Sequence, residues 1–332
     1  AGKHILVTGV TGFVGKVWVA MLLERVPEIG RITVVVRERG RHGSALRRFE
    51  REIDTSPVFR RLRATHGHDL GSWLGCRLDV VSGDVTLPLC GVDAEAIGAA
   101  DLVMHCAGLT DFAPDPLEAL STNVAGAKHA ADLAAALGAR LIHISTAFVA
   151  GTADGDVPET VTRGKAPNGR ALSVPAEIRS LQLACRGVDS ARGRIEVGMA
   201  RARDLGWPNI YTYTKGLAEH LISERIEVRP IIIRPSVVEC ARAFPMVGWN
   251  EGLNTAGPLA WLITTPFRRL PARTEHMFDV VPVDDVATGM TLVAAAALSN
   301  TCPDVVHLAS GDVNPLSVGR TVELTGLAMR KW

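Results

Sequence analysis

The chain has 332 residues, enough for one large core or for a nucleotide-binding domain with a smaller companion. Its 47% hydrophobic and 21% charged residues are those of a globular protein, and a net charge of +1 excludes a global field recruiting nucleic acid or an anionic membrane. The six cysteines (Cys76, Cys90, Cys106, Cys185, Cys240, Cys302) form no CxxC pair and no His/Cys cluster at zinc spacing, which argues against a disulfide or metal framework and for reduced thiols in a cytoplasmic enzyme.

No signal peptide is evident, and no apolar run reaches the roughly 18 residues of a membrane span. The longest candidate, Met290 to Leu298, reads as a buried helix. The missing initial Met, and an end at Lys331-Trp332 without a stop signal, lead us to expect a domain excised from a longer polypeptide and fused there to further domains.

In chain order, short apolar runs alternate with helical patterns, the signature of βαβ units around a parallel sheet. The expected strands are His4–Val7, Ile32–Val36, Cys76–Ser82, Leu102–His105, Leu141–Ser145 and Pro230–Ile233. None alternates strictly, as expected when helices cover both faces. The first runs into Thr8-Gly9-Val10-Thr11-Gly12-Phe13-Val14-Gly15 and then a helix, Val14–Glu24. Gly9 permits a tight turn, Gly12 lets backbone N–H groups approach a pyrophosphate, and Gly15 lets helix and strand pack closely. Phosphates would sit at the positive end of that helix.

Where the second strand ends, an NAD enzyme usually places an acid for the ribose 2′-OH. Here stands Arg37, suited to a 2′-phosphate, with Arg39 and Arg41 as further candidates and Glu38 between. From Arg37 to Arg63 nine arginines face four acids, and most of these arginines read as a solvated helix face. Gly83-Asp84-Val85 follows the third strand, with Asp84 available to the adenine amino group. Cys106-Ala107-Gly108 follows the fourth, with small residues where nicotinamide ribose would meet backbone. A helical stretch, Pro116–Ala136, comes next.

Leu141–Ser145 leads into two adjacent hydroxyls. Strand neighbours face opposite ways, so one of them points at a substrate; Thr146 is favoured and Ser145 is the alternative. Both hydroxyls could also serve as strand-end caps. His143 reads as a core histidine rather than a catalytic base. Residues 154–206 break the rhythm, with one helical patch at Ala176–Arg186. Both tyrosines of the chain lie in Tyr211-Thr212-Tyr213-Thr214-Lys215. Tyr211 and Lys215 are i and i+4 on one helical face, whereas Tyr213 points elsewhere. A neighbouring ammonium is expected to lower the phenol's pKa toward neutrality. Cys240 to Arg273, with Pro245, Gly248, Trp249, Asn250, Gly257 and Pro258, is again irregular. The fold is therefore expected to be α/β: a Rossmann-type doubly wound parallel sheet (residues 1–153, 207–239 and 276–300) with a smaller, irregular substrate-binding lobe (154–206, 240–275 and 301–332).

Together these residues resemble the extended short-chain dehydrogenase/reductase superfamily, through Gly9/Gly12/Gly15, Asp84, Thr146, Tyr211, Lys215 and Arg234-Pro235. Within it the chain is similar to the fatty acyl-CoA reductases. That narrower likeness rests on Thr8 to Lys16, Ser56 to Arg63, Arg234 to Glu239, Gly248 to Gly252 and Asp279 to Asp284. Thioester reductase domains of carboxylic acid reductases and peptide synthetases are near relatives. The resemblance implies NADPH as cofactor and Thr146, Tyr211 and Lys215 in the catalytic roles. It implies a long-chain fatty acyl-CoA or acyl carrier thioester as substrate, reduced to aldehyde and on to fatty alcohol. The expected cofactor contacts are completed by Thr11, Phe13, Val14, Val85, Asn123, Pro235 and Val237. Apolar residues of Phe244–Trp261 are expected to shape an acyl tunnel, and the surplus arginines to meet CoA phosphates. No metal is expected; the expected location is cytoplasmic, with peripheral membrane association as an alternative. The competing readings are an enzyme of this fold acting on a sugar nucleotide or sterol, and a non-catalytic dinucleotide sensor.

Overall fold

A computed structural model of the chain describes residues 2–38, 44–252, 257–258, 261–262, 265 and 272–330. Arg39, Arg41, parts of the 240–275 segment and Lys331-Trp332 lie outside the described residues. The strands are β1 (Lys3–Thr8), β2 (Gly30–Val36), β3 (Leu78–Ser82), β4 (Leu102–His105), β5 (Arg140–Ile144), β6 (Ile231–Pro235), β7 (Val237–Glu239), β8 (Val280–Pro282) and β9 (Val305–Leu308). Seven form one parallel sheet in the order β3-β2-β1-β4-β5-β6-β9, and β7 and β8 pair separately. The order reverses between β1 and β4, and a doubly wound sheet opens its ligand crevice at the carboxyl ends beside such a reversal.

The longer helices are α1 (Phe13–Arg25), α2 (Ala45–Thr55), α3 (Gly126–Ala136), α4 (Val174–Arg186), α5 (Ala191–Asp204), α6 (Ile210–Ser223), α7 (Val283–Leu298) and α8 (Val318–Met329). Residues of α1 and α7 share one apolar cluster with Ile5, Val7, Val34 and Ile233. Residues of α3 and α6 share another with Leu6, Val103, Leu141 and Ile232 on the opposite sheet face. Burial on both faces is why the strands read as continuous apolar runs. A third cluster joins α4 and α5 to Tyr213 and Leu217 of α6. Among the described residues no helix is long and apolar enough to cross a membrane.

Three details depart from the sequence reading. Residues 301–332 were assigned to the lobe, yet Val305–Leu308 adds the seventh strand, Ile232 pairing with Val305. That strand is short and buries only Val305 fully, so its apolar signal is weak. The irregular 154–206 stretch contains a second helix, α5, despite Gly193 and Gly198. Each glycine costs a helix about 1 kcal/mol of propensity. Packing overrides it at Gly198, where an added Cβ would fall 2.9 Å from both Ile210 and Pro116 side-chain atoms. Finally, the expected helix Pro116–Ala136 widens into a π-turn over Leu120–Ala125. Such bulges insert one extra residue per turn and often mark functional sites.

A buried ion pair ties α6 to the sheet, and the same guanidinium reaches into the 154–206 segment. Arg234, at the end of β6, donates from Nε and Nη2 to Glu219 of α6 at 3.0 and 2.6 Å, and its Nη2 also donates to Thr160 O at 3.0 Å. Glu219→Ala leaves the Arg234 charge buried and uncompensated. Chemical denaturation is expected to show a loss of about 3–5 kcal/mol, the range for breaking a buried pair; a loss below about 1 kcal/mol, the scale of exposed pairs, would mean water reaches the guanidinium.

Candidate active site

The glycine turn is held by contacts that admit no side chain. Gly9 has φ +77°, and a Cβ there would lie 2.5 Å from Ala107 N, so the turns after β1 and β4 touch backbone to backbone. A Cβ on Gly15 would lie 2.5 Å from Gly9 O. Gly12 is the N-cap of α1 and supplies no side-chain cap, which leaves the first-turn N–H groups facing the crevice. These features fit the pyrophosphate of a dinucleotide. Val14 packs into the core, and the Phe13 ring stacks on Trp249 with centroids 5.4 Å apart. Lys16, one residue past Gly15, is buried between Glu52 (2.5 Å) and Glu251 (2.6 Å), tying α1 both to α2 and to the segment after β7.

At the end of β2, Arg37 is half-exposed, and its Nη1 lies 3.8 Å from Asp84 Oδ2. The other Asp84 oxygen accepts from Thr86 N and Oγ1, both at 2.9 Å, so much of that carboxylate serves its own loop. Arg48 was grouped with the solvated arginines, and it is not one of them. From α2 its Nη2 donates to Thr11 Oγ1 at 3.0 Å and its Nη1 to Arg37 O at 2.6 Å. One guanidinium therefore bridges the glycine turn and the β2 end, where an adenosine 2′ substituent would lie. Arg63 likewise is turned inward, donating to Ser56 O at 3.0 Å. Arg61, 5.6 Å over the Phe244 ring, packs rather than reaching for a ligand.

Beyond β4, burial pushes the Cys106 thiol up to about 12, so it stays protonated. Gly108 faces Asn123 and Lys215, an added Cβ falling 3.3 Å from Asn123 Oδ1 and 3.8 Å from Lys215 Nζ. Asn123 sits in the π-turn with its amide committed. Its Oδ1 accepts from Leu109 N at 2.7 Å, and its Nδ2 donates to Leu109 O at 3.1 Å and Thr214 Oγ1 at 3.0 Å. It braces the β4 loop against α6. Val85 accepts from His129 through its carbonyl at 2.9 Å. Pro235 ends β6, and Val237 opens β7, joined to the site by strand order alone.

Helix α6 starts at Asn209, whose side chain accepts from Thr212 N at 2.9 Å. That cap fixes the rotation of the helix, and the two tyrosines separate as their spacing predicts. Tyr213 is buried, donating from Oη to Glu177 Oε1 at 2.5 Å, while Glu177 in turn binds Arg201 at 2.7 and 2.6 Å. Tyr211 points the other way, its ring 6.2 Å from that of Phe112, and lies close enough to the Thr146 hydroxyl for that group to pull its pKa down. Thr146 also accepts from Phe148 N at 3.3 Å, so it caps the strand end and meets the phenol at once. The Ser145 hydroxyl is buried and lacks a partner among the described residues.

The expected lysine effect on the phenol is absent. Burial raises Tyr211 to about 12, against the pull of Thr146. Lys215 shares its helical face, but Nζ is drawn down to Ile144 O at 2.5 Å and His143 Nε2 at 3.3 Å. The phenol thus keeps its proton at neutral pH, as a donor must. Burial lowers Lys215 itself to about 8, opposed by Glu219 and Cys106. The Phe244 ring is in the apolar core, and Trp249 lies on Phe13, so neither ring is free to line the expected tunnel; residues 253–256 and 259–260 of that segment lie outside the described residues.

Residues 7–290 match the family described as Male sterility protein. Over 95% of this chain and 68% of its own length, the probable fatty acyl-CoA reductase 4 of Arabidopsis thaliana is 30% identical. The alcohol-forming fatty acyl-CoA reductase of Simmondsia chinensis is 29% identical over 97% of the chain and 69% of its own length. For fatty acyl-CoA reductase 2 of Homo sapiens the figures are 28%, 95% and 59%. Among solved structures, the terminal R domain of the myxalamid PKS-NRPS pathway superposes with TM-score 0.65 at 19% identity, covering 100% of this chain and 70% of that one. UDP-glucuronic acid 4-epimerase of Bacillus cereus, in complex with NAD, gives 0.58 at 18% identity, covering 98% and 84%.

Proposed function

The chain belongs to the Male sterility protein family of nicotinamide-dinucleotide-binding domains, and on that premise we propose that it is an NADPH-dependent reductase of fatty acyl thioesters. One observation carries the reading: a protonated phenol, Tyr211, beside the Thr146 hydroxyl, with a buried lysine one turn along α6 and a glycine turn shaped for a dinucleotide. Gly9, Gly12 and Gly15 would hold the pyrophosphate, Arg37 and Arg48 the 2′-phosphate, and Lys215 the nicotinamide ribose. The reduced dinucleotide, when bound, supplies hydride to the thioester carbonyl carbon.

Tyr211 and Thr146 donate hydrogen bonds to the carbonyl oxygen as it gains negative charge, where preorganised donors act most strongly. Tyr211 gives that oxygen its proton, forming a hemithioacetal. Collapse of the hemithioacetal returns its O–H proton to the Tyr211 phenolate and expels a thiolate, which takes a proton from solvent, leaving an aldehyde. A second round, again with Tyr211 as proton donor, yields the alcohol. A relative named as alcohol-forming supports both rounds.

The test is NADPH consumption with product analysis, comparing a long-chain acyl-CoA, an acyl carrier-protein thioester, a sugar nucleotide and a sterol. Aldehyde or alcohol from a thioester is expected; turnover confined to the other substrates would overturn the proposal. The pH profile adds a second readout. The Lys215 ammonium is present below about 8 and is lost as pH rises through it, so kcat/KM should fall on the alkaline side there. A profile that stays flat through about pH 9 would take Lys215 out of the reaction.

A further inference from the structure

Two buried histidines lie directly under the catalytic lysine, and nothing in the mechanism above uses them. His143 on β5 and His105 on β4 sit opposite each other in the sheet register and are fully buried. Their rings stack, centroids 5.2 Å apart and 24° from parallel. His143 Nε2 lies 3.3 Å from Lys215 Nζ. His105 Nδ1 lies 2.8 Å from Thr8 Oγ1, and that hydroxyl also accepts from Ala107 N at 3.4 Å. The outer nitrogens, His143 Nδ1 and His105 Nε2, have no partner among the described residues.

Resting on the reading of Lys215 as the reaction's lysine, we propose that His143 is a positioning residue: a neutral imidazole whose Nε2 lone pair accepts a hydrogen bond from the Lys215 ammonium. With Ile144 O it fixes two of the three N–H directions and leaves one for the crevice. Stacking on His105, which is itself anchored beside the glycine turn through Thr8, holds the imidazole in place. A carboxylate at this position would grip the ammonium by charge and raise its pKa; an imidazole supplies an acceptor dipole alone. Burial holds both rings neutral, His105 at about 3 and His143 well below its usual range. The titratable groups facing this pair are Lys215, with Glu219 and Cys106 acting on it in turn. Accepting from Lys215 requires His143 to carry its proton on Nδ1.

Two variants and one wild-type measurement test this. His143→Leu removes the acceptor at similar volume, and His143→Gln keeps an acceptor of similar reach. The loss should weaken proton affinity at Lys215 about tenfold, so its NMR titration in cofactor-free protein should move about one pH unit lower. The alkaline limb of kcat/KM should move down with it, and His143→Gln should restore both. An unchanged Lys215 titration in folded His143→Leu would overturn the proposal. Should that variant fail to fold, imidazole nitrogen shifts of the wild type decide: an Nδ1–H tautomer with bare Nε2 is expected, and an Nε2–H tautomer would refute it. The NMR arms need no substrate, so a wild type inert toward thioesters would overturn the proposed reaction and leave this result standing.

Discussion

Tyr211→Phe should lower thioester turnover by about 10²- to 10⁴-fold, the usual worth of a positioned proton donor, while NADPH binding changes little. The ring stays, so packing against Phe112 survives and only the hydroxyl beside Thr146 is removed. Thr146→Val should give a smaller loss, because Tyr211, which donates both a hydrogen bond and the proton, remains. The matched control is Tyr213→Phe, two residues along the same helix. Its hydroxyl binds Glu177, and losing it should cost stability of about 1–3 kcal/mol without comparable loss of turnover. Steady-state kinetics beside calorimetric melting separates the two. If Tyr211→Phe keeps more than about a tenth of wild-type turnover, the proton comes from elsewhere.

Arg48→Ala is the second large effect. A charge-assisted hydrogen bond to phosphate is worth about 1.5–3 kcal/mol, so NADPH affinity should fall about 10- to 100-fold and NADH affinity should hold. Fluorescence titration of both dinucleotides reads this directly. An equal fall for the two would show that the guanidinium acts only as a clip between Thr11 and the Arg37 carbonyl. Arg37→Ala should act in the same direction more weakly, since its side chain is half-exposed and shares Asp84.

The contrast between these arginines shows what a sequence can and cannot carry. Arg37 was legible because it ends a strand, a position with a fixed place in a doubly wound sheet. Arg48 was not, because on a helix crowded with arginines nothing local says which one turns inward. The same holds for Lys16, whose partners Glu52 and Glu251 are distant in sequence. The glycine turn and the separation of Tyr211 from Tyr213 were legible because both rest on short-range geometry. The expected strands were readable from apolar runs, but β9 was hidden by its length and its polar His307. The role of Asn123 escaped because a π-turn leaves no mark in hydrophobic periodicity. The low phenol pKa expected for Tyr211 failed because helical spacing places two side chains on one face without saying where a long lysine ends.

The π-turn also constrains how this chain can change length. Deleting one residue within 120–125 would let the segment close to ordinary α geometry with the helices on either side keeping their phase, because the wide turn is what absorbs the extra residue. What is lost is the local splay of the wide turn, which carries the amide that clasps Leu109 and Thr214. A single-residue deletion here should therefore fold with α3 still seated on the sheet yet loosen the loop after β4, and a deletion library scored separately for folding and for turnover would set this stretch apart.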